Sequence, residues 1–253
     1  MELSEFSGIF DDFCETVVTF PANNNIPFTQ NWVIDKQLSE HICCLTERDI
    51  GEGLGPSFAA GKFACHVENG AETGIMRIYQ QMPNIRTEFH NSARRALQAT
   101  TSPGHAEIAA FKTLRFARSH VAPKLLALRQ DTQDDDGLIP GGYIDYLVWA
   151  TVPGKPITKE EFWRLHPSLR KTIREKFKVL YSELAYHGFK ISIPRIGKII
   201  YDTDSQIMHL CGLRAANQLD KNVEWNDTVY ALYGLIQVPP VQGWTEDRAS
   251  WIW

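Results

Sequence analysis

The segment from His187 to Ala216 contains residues whose chemistry limits what the chain can do. Lys198 carries a positive charge that repels a metal cation, and the Cys211 sulfur is a soft ligand. Neither suits Mg²⁺, which prefers carboxylates and water. Asp202 and Asp204 are the nearby carboxylates, but the stretch YDTDSQ has the composition of a solvated turn. The segment therefore lacks the residues that a magnesium site needs.

A cysteine and a histidine also alternate at the end of this segment. If the stretch QIMHLC is extended, His209 and Cys211 share one face of a strand. A Cys–His couple can act as nucleophile and base. The apolar residues around Cys211 instead favour a buried structural thiol.

The composition excludes several classes of protein. The chain has 253 residues, 43% hydrophobic and 22% charged, with a net charge of −4. It therefore has neither the basic footprint of a nucleic-acid-binding protein nor a polybasic membrane anchor. No run approaches the roughly 18 apolar residues that span a bilayer, and the acidic N-terminus does not suit a signal peptide. We expect a cytoplasmic protein that binds neither nucleic acid nor membrane.

The cysteines give no sign of a metal site. There are five, an odd number, and no two of them form a CxxC pair. We expect free thiols and no bound zinc.

The elements that must position these residues can be predicted from periodicity. Phe6, Phe10, Phe13 and Val17 have helical spacing, which predicts a helix over residues 2–20. After it we expect strands and one helix, in this order: a hairpin over residues 41–67 around the glycine-rich stretch 51–61, a strand over 74–81, a helix over 104–120, and strands over 121–130 and 141–152.

The C-terminal part is predicted to be mainly helical. A short helix covers residues 159–165, and a longer one begins at Pro167 and ends before Gly188. Two short extended stretches, KIIYD and QIMHL, follow, and then a helix over 227–236.

This order resembles the protein-kinase-like fold, in the small form of fungal kinase-like and aminoglycoside-phosphotransferase-like proteins. The resemblance covers roughly residues 45–236. GEGLGPSFAAGKFAC resembles the glycine-rich loop, with Ser57 and Phe58 at its tip, and YLVWATVPGKPIT, which contains Trp149, resembles the hinge. Arg77 stands where the fold has its phosphate-binding lysine, and Glu107 where a helix carboxylate pairs with that cation.

The resemblance implies an α+β, two-lobed protein-kinase-like fold with an antiparallel-sheet N-lobe and a short, mainly helical C-lobe. The predicted limits are a helical N-terminal extension over residues 1–40, an N-lobe over 41–152 and a reduced C-lobe over 153–253.

Three positions depart from the catalytic pattern of the fold. HGFKISIPRIGKIIYD resembles the catalytic loop and MHLCGLRAA the metal-binding segment. The base aspartate then falls at Ile193, the metal-binding asparagine at Lys198 and the metal-binding aspartate at Cys211. Phosphoryl transfer needs positioned Mg²⁺ and a residue that orients the nucleophile. Conventional phosphotransfer is therefore not expected.

The roles of two further features stay open. The glycine-rich stretch suits a tight hairpin turn as well as a phosphate cradle. Arg77 and Glu107 form either a structural ion pair or a ligand-facing pair.

Three functions follow from this resemblance. The first is a kinase-fold protein whose cleft binds a small anionic or polarised organic ligand without metal or other cofactor, as a binder or a non-phosphoryl biosynthetic enzyme. The second is a pseudokinase that binds a protein partner, with the tryptophan-rich tail over residues 244–253 as a docking strip or folded on the core. The third is an unconventional phosphotransferase, and whether nucleotide binds is left open.

The predicted site for the first function joins eight residues. Its catalytic members are Arg77, Glu107 and Lys198. Its ligand-binding members are Ser57, Phe58, Trp149, Ile193 and Cys211.

Overall fold

The computed structural model describes residues 8–22, 28–219, 224–240 and 242–253. The chain divides into two compact units, each of which is discontinuous in sequence. Unit 1 comprises Met1–Gly104 and Leu125–Thr151, and unit 2 comprises His105–Lys124 and Val152–Trp253. The described part of the predicted N-terminal extension belongs to unit 1, and the predicted lobe limits stay predictions.

Unit 1 is built on one antiparallel sheet of six strands in the order β1-β2-β3-β4-β6-β5. The strands are β1 (Val17–Phe20), β2 (Gln30–Cys43), β3 (Phe58–Val67), β4 (Thr73–Gln81), β5 (Leu125–Thr132) and β6 (Tyr143–Ala150). The helices of unit 1 are α1 (Glu47–Gly51) and α2 (Ser92–Ala96), with a 3₁₀ turn at Asp11–Phe13.

The sheet curls until its two outer strands meet. Two register shifts interrupt the β2–β3 ladder, and such bulges bend a strand. The outer strands β1 and β5 come together, where the Arg129 Nη1 donates a hydrogen bond of 3.0 Å to the Thr19 carbonyl oxygen. The concave face packs an apolar core whose largest members are aromatic and aliphatic: Phe10, Phe20, Trp32, Ile34, Phe63, Met76 and Ile78.

Unit 2 combines helices with short strands. Its helices are α3 (Ala106–Phe116), α4 (Lys159–Arg164), α5 (Pro167–Tyr186) and α6 (Thr228–Leu232), with 3₁₀ turns at Ile196–Lys198, Leu213–Ala215 and Arg248–Ser250. Its strands are β7 (Lys155–Pro156), β8 (Phe189–Ile191), β9 (Ile199–Tyr201), β10 (Met208–Leu210) and β11 (Ala216–Gln218). Strand β9 pairs with β7 and β10, and β8 pairs with β11, all antiparallel.

Helix α5 shows why the sequence folds this way locally. Pro167 occupies its first turn, where a missing N–H costs nothing, and Gly188 follows its last residues with a φ of +82°. Ile173, Phe177 and Leu184 are buried on one face and form an apolar stripe with helical spacing.

Several of the predicted elements are present in the fold. A mixed α and β protein with an antiparallel sheet is confirmed, and helices occur within the predicted ranges 104–120 and 167–187. The predicted 41–67 hairpin is right only in that two antiparallel strands pair there: β2 already begins at Gln30, and α1 (Glu47–Gly51) lies in the connection in place of a tight glycine-rich turn. The two-lobed kinase arrangement stays a prediction. None of the helices in the described ranges is long and apolar enough to cross a membrane.

The predicted helix over residues 2–20 is wrong where the structure describes it. Phe6 lies outside the described residues. Phe10 precedes the short 3₁₀ turn, and β1 begins at Val17. In β1, Val18 and Phe20 are buried while Val17 and Thr19 are exposed, so the apolar period is two and not 3.6. The last predicted helix, over 227–236, is shorter and covers Thr228–Leu232.

Candidate functional site

Three of the predicted site residues lie on one face of the unit 1 sheet. Arg77 on β4 stands opposite Leu147 on β6, and two residues along each strand Ile75 stands opposite Trp149. Phe58 stands opposite Gln81, which shares the Arg77 face because residues four apart on a strand point the same way. Phe58, Arg77 and Trp149 therefore share the convex face, away from the core.

Arg77 is a buried cation on an inner strand. Its side chain is 7% exposed, and the neighbouring position on β3 is Lys62. The same face also holds Asp145, which lies on β6 two residues from the partner of Arg77 and is 0% exposed. This carboxylate is not among the predicted site residues. Its signal was a single acid within the apolar strand YIDYLVWA, where an unpaired charge would be costly.

Ser57 holds its own loop in place. The hydroxyl is fully buried and accepts a hydrogen bond of 2.9 Å from the Leu45 N–H. It also lies 3.4 Å from the Leu45 carbonyl oxygen and from Asn84 Oδ1, the acceptors within its reach. These contacts join the start of β3 to the segments that follow β2 and β4. A ligand contact by Ser57 stays a prediction.

Unit 2 brings together three of the predicted residues, Glu107, Lys198 and Cys211. Lys198 ends the 3₁₀ turn Ile196–Lys198, and its carbonyl oxygen accepts a hydrogen bond of 2.8 Å from the Cys211 N–H. The Cys211 thiol donates to the Gly197 carbonyl oxygen at 3.7 Å. Glu107, which is 3% exposed on α3, is close enough for its charge to act on the Lys198 ammonium.

Two arginines complete this group, which we call the Lys198 cluster: Glu107, Arg195, Lys198, Cys211 and Arg214. Partial burial first, and then the charge of Arg195 and Arg214, lower the pKa of Lys198 from the ordinary lysine value. Cys211 and Glu107 act in the opposite direction and raise that pKa. The charges of two further cations and one carboxylate thus act on Lys198, and the excess of positive charge favours an anion.

Gly212 fixes where the Lys198 side chain lies. Its φ is +82°, a left-handed conformation that suits glycine. A β-carbon added there would lie 2.4 Å from Lys198 Nζ and 2.5 Å from its Cδ. The lysine chain therefore lies directly against the glycine backbone, and this contact positions the ammonium group.

Ile193 differs from these charged groups because its side chain is apolar. Its side chain is 57% exposed in the loop between β8 and the 3₁₀ turn, and it offers no group that can accept a proton. A ligand contact by Ile193 stays a prediction.

The described residues contain no group of three His, Cys, Asp or Glu side chains that could hold a metal ion. Asp202 accepts hydrogen bonds from the Ser205 hydroxyl and from the Ser205 N–H, the latter at 3.1 Å, and these lower the pKa of its carboxyl group. Asp202 thus serves the turn, in agreement with the prediction for YDTDSQ.

The tryptophan-rich tail packs within unit 2. Ile252 exchanges two backbone hydrogen bonds with Gln237, at 2.9 and 3.0 Å. The Trp251 ring is buried, and its Nε1 donates to the Trp244 carbonyl oxygen at 2.8 Å. The Arg174 guanidinium lies 5.5 Å from the centre of the Trp253 ring. Of the two alternatives for the tail, this is the folded-back arrangement.

Comparisons with known proteins do not show a family for this chain. No family profile matches it, and no curated protein is similar to it. Among solved structures, the kinase PK-1 of Cydia pomonella granulovirus is similar with a TM-score of 0.45 and 13% identity, over 77% of this chain and 55% of that chain. The chain thus spans about half the length of that kinase, and a likeness of this size decides nothing about its function.

Proposed function

We propose that the protein binds a small anion at the Lys198 cluster without a metal ion. The observation that carries the proposal is the Lys198 ammonium group, which is partly buried, lies against the Gly212 backbone and is close enough to Arg195 and Arg214 to be affected by their charges. Partial burial weakens the screening of charge by water, so a ligand anion gains more there than at the surface.

The lowered pKa of Lys198 supports the same proposal. The fold holds this ammonium group in surroundings that disfavour its charge, since burial and two arginines act together. A bound carboxylate or phosphate would neutralise part of that repulsion. In the free site, therefore, repulsion between positive charges raises the free energy, and a bound anion would lower it.

The broader proposal is a protein-kinase-like, two-lobed protein that has lost conventional phosphotransfer. It rests on Ile193, Lys198 and Cys211 standing where the resembled fold has a base and two metal ligands. A fixed cation can also stabilise negative charge that develops in a reaction, as on an enolate. A non-phosphoryl biosynthetic enzyme is therefore the catalytic form of this proposal.

Partner binding through the tail is the second candidate. It is favoured by the apolar side chains of Ile252 and Trp253, which are 58% and 44% exposed although the tail packs on unit 2. It ranks below anion binding because the Trp251 ring is buried within unit 2.

Calorimetry and thermal unfolding with inorganic phosphate in EDTA test the proposal. We expect phosphate to bind the wild type and to raise its Tm, because a ligand of the native state stabilises it. Lys198→Ala should abolish most of the effect. Lys36→Ala removes the same charge from an exposed position on β2 and should leave it unchanged.

Three results would contradict the proposal. Phosphate could fail to bind, or it could bind Lys198→Ala as well as it binds the wild type. The protein could also bind only nucleotide, and only when Mg²⁺ is present. The last result would favour an unconventional phosphotransferase.

A further inference from the structure

Unit 2 contains a cavity that shares no residue with the Lys198 cluster. It has a volume of about 390 Å³, within the range of about 300–1,000 Å³ that is typical of small-molecule sites. Helix α5, the start of α6 and the tail form its walls, which are lined by Lys171, Arg174, Glu175, Asp227, Tyr230 and Trp253. We call it the Arg174 pocket.

A buried cation forms part of the wall of this pocket. Arg174 is 6% exposed, and its Nη1 donates a hydrogen bond of 3.3 Å to the Leu235 carbonyl oxygen. A guanidinium group has five N–H donors, and among the residues that the structure describes this oxygen is the one acceptor that the Arg174 side chain reaches. Other N–H groups of Arg174 therefore remain for a ligand.

The two carboxylates of the pocket are paired with cations other than Arg174. Glu175 Oε1 lies 3.9 Å from Lys171 Nζ. Asp227 Oδ2 accepts a hydrogen bond of 3.1 Å from Arg248 Nη1. Lys171 and Arg248 thus offset the two acids, and the positive charge of Arg174 is in excess.

Burial makes this excess charge unfavourable. Burial first, and then the charge of Arg170, lower the pKa of Arg174 from the ordinary arginine value, whereas Tyr230 and Glu175 raise it. An arginine nevertheless keeps its charge in a folded protein. A buried cation without a paired anion destabilises the fold, so a ligand carboxylate that reached the guanidinium group would reduce this cost.

Two aromatic rings form the apolar part of the pocket. The Tyr230 and Trp253 rings meet edge to face, with their centres 5.9 Å apart. The Tyr230 hydroxyl donates to the Arg174 carbonyl oxygen at 3.1 Å, so it is used within the protein. The Arg174 guanidinium carbon lies 5.5 Å from the centre of the Trp253 ring, which is partly exposed. A ligand that carries a carboxylate next to a ring can therefore contact the cation and the aromatic surface together.

We infer that the Arg174 pocket binds a small aromatic carboxylate. The ligand carboxylate accepts hydrogen bonds from the guanidinium N–H groups, and the two planar groups have matching geometry. The ring of the ligand packs against Trp253 and Tyr230, because aromatic pairs are favourable in offset or edge-to-face contact. The pocket and the Lys198 cluster have no residue in common, so the inference does not depend on the function proposed above.

The test compares benzoate with two probes that each lack one of its features. Benzamide keeps the ring without the charge, and acetate keeps the charge without the ring. Calorimetry at equal ionic strength should give benzoate a Kd at least about tenfold below that of either probe, because a charge-assisted hydrogen bond and burial of the ring both contribute. At a free concentration about ten times its Kd, benzoate should raise the Tm of the full chain by about 3–6 °C.

Two lysine variants locate the binding. Lys171→Glu places a carboxylate in the wall of the pocket, where it repels the ligand, and should raise the Kd for benzoate about tenfold. Lys159→Glu makes the same change of charge at an exposed position of α4, outside the pocket, and should leave the Kd unchanged. Both lysines are exposed, so both variants are expected to fold. Arg174→Met removes the buried cation itself and should abolish binding.

Lys198→Ala separates this pocket from the Lys198 cluster and should bind benzoate as tightly as the wild type does. The inference is overturned if Lys198→Ala abolishes binding, because benzoate would then bind at that cluster. It is also overturned if benzoate binds no better than benzamide or acetate, or if its Kd is unchanged in Lys171→Glu or in folded Arg174→Met. Equal weakening in Lys171→Glu and Lys159→Glu would overturn it as well, since that would be a general effect of charge.

Discussion

Gly212→Ala should misplace the Lys198 ammonium group and weaken anion binding. A methyl group at this position would lie 2.4 Å from Lys198 Nζ, whereas ordinary contact begins at 3.4 Å. The ammonium group must therefore move by about 1 Å. At an effective dielectric constant of about 20, moving a charge from about 4 to 5 Å from an anion loses roughly 0.8 kcal/mol, or about fourfold in Kd.

The variant also has a stability cost of its own. Alanine at a φ of +82° occupies the left-handed region, at about 1–2 kcal/mol. Gly188 provides a matched control, because it has the same φ of +82° and no atom within 4 Å of an added β-carbon. Gly188→Ala should lower the free energy of unfolding by a similar amount and leave anion binding unchanged.

Urea unfolding measures the stability of both variants, and phosphate calorimetry measures the affinity. The reasoning is refuted if Gly188→Ala weakens phosphate binding as much as Gly212→Ala. A second check uses Lys198→Ala, in which the glycine substitution should have no further effect on affinity, because the displaced ammonium group is gone.

Three other predictions concern the rest of the chain. Trp251→Ala should lower the free energy of unfolding in urea by about 3–5 kcal/mol, because its ring is buried. Trp253→Ala should lower it clearly less, because that ring is partly exposed. Equal losses would mean that the tail is not packed. Lys198→Met should raise the Tm at neutral pH. The pKa of Lys198 in the folded protein is below 10.5, so the charged lysine lowers the stability of the folded state at neutral pH. This destabilisation fades as the pH rises towards 10.5, and the Tm difference between the variant and the wild type should fade with it. A Tm difference that grows with pH would contradict this sign. Burial is the main reason that the pKa of the Cys65 thiol is raised to about 12. Iodoacetamide should therefore alkylate Cys65 only when the protein unfolds. Mass spectrometry of the native protein after treatment would contradict this if it showed alkylated Cys65.

The regular elements were predictable where one period dominates a long segment. The stripe of α5 and the strands β3 to β6 follow their apolar patterns closely. The helix predicted for the N-terminus was wrong because three phenylalanines at helical spacing outweighed the shorter strand pattern that follows them. VVTF alternates buried and exposed residues and is rich in β-branched side chains, which favours a strand.

The candidate site was predictable only in part, because its members meet through tertiary pairing. Lys198 and Cys211 were chosen from the chain itself, and one backbone hydrogen bond joins them. Arg195 and Arg214 were missed. They come together because β8 pairs with β11, where Ile191 stands opposite Ala216 and closes the loop between them. No local pattern reports such a closure.

The order in which the chain visits the two units limits how it can be synthesised and divided. The chain leaves unit 1 after Gly104, returns at Leu125 and leaves again after Thr151. Strand β4 gains its neighbour β6 only when residue 150 has emerged from the ribosome, so the inner strand of the nascent sheet is an open edge until then. A fragment that stops at residue 104 keeps that edge permanently, and one that starts at residue 152 lacks α3, which carries Glu107. Because each unit is made of two separate stretches of the chain, no single cut separates unit 1 from unit 2.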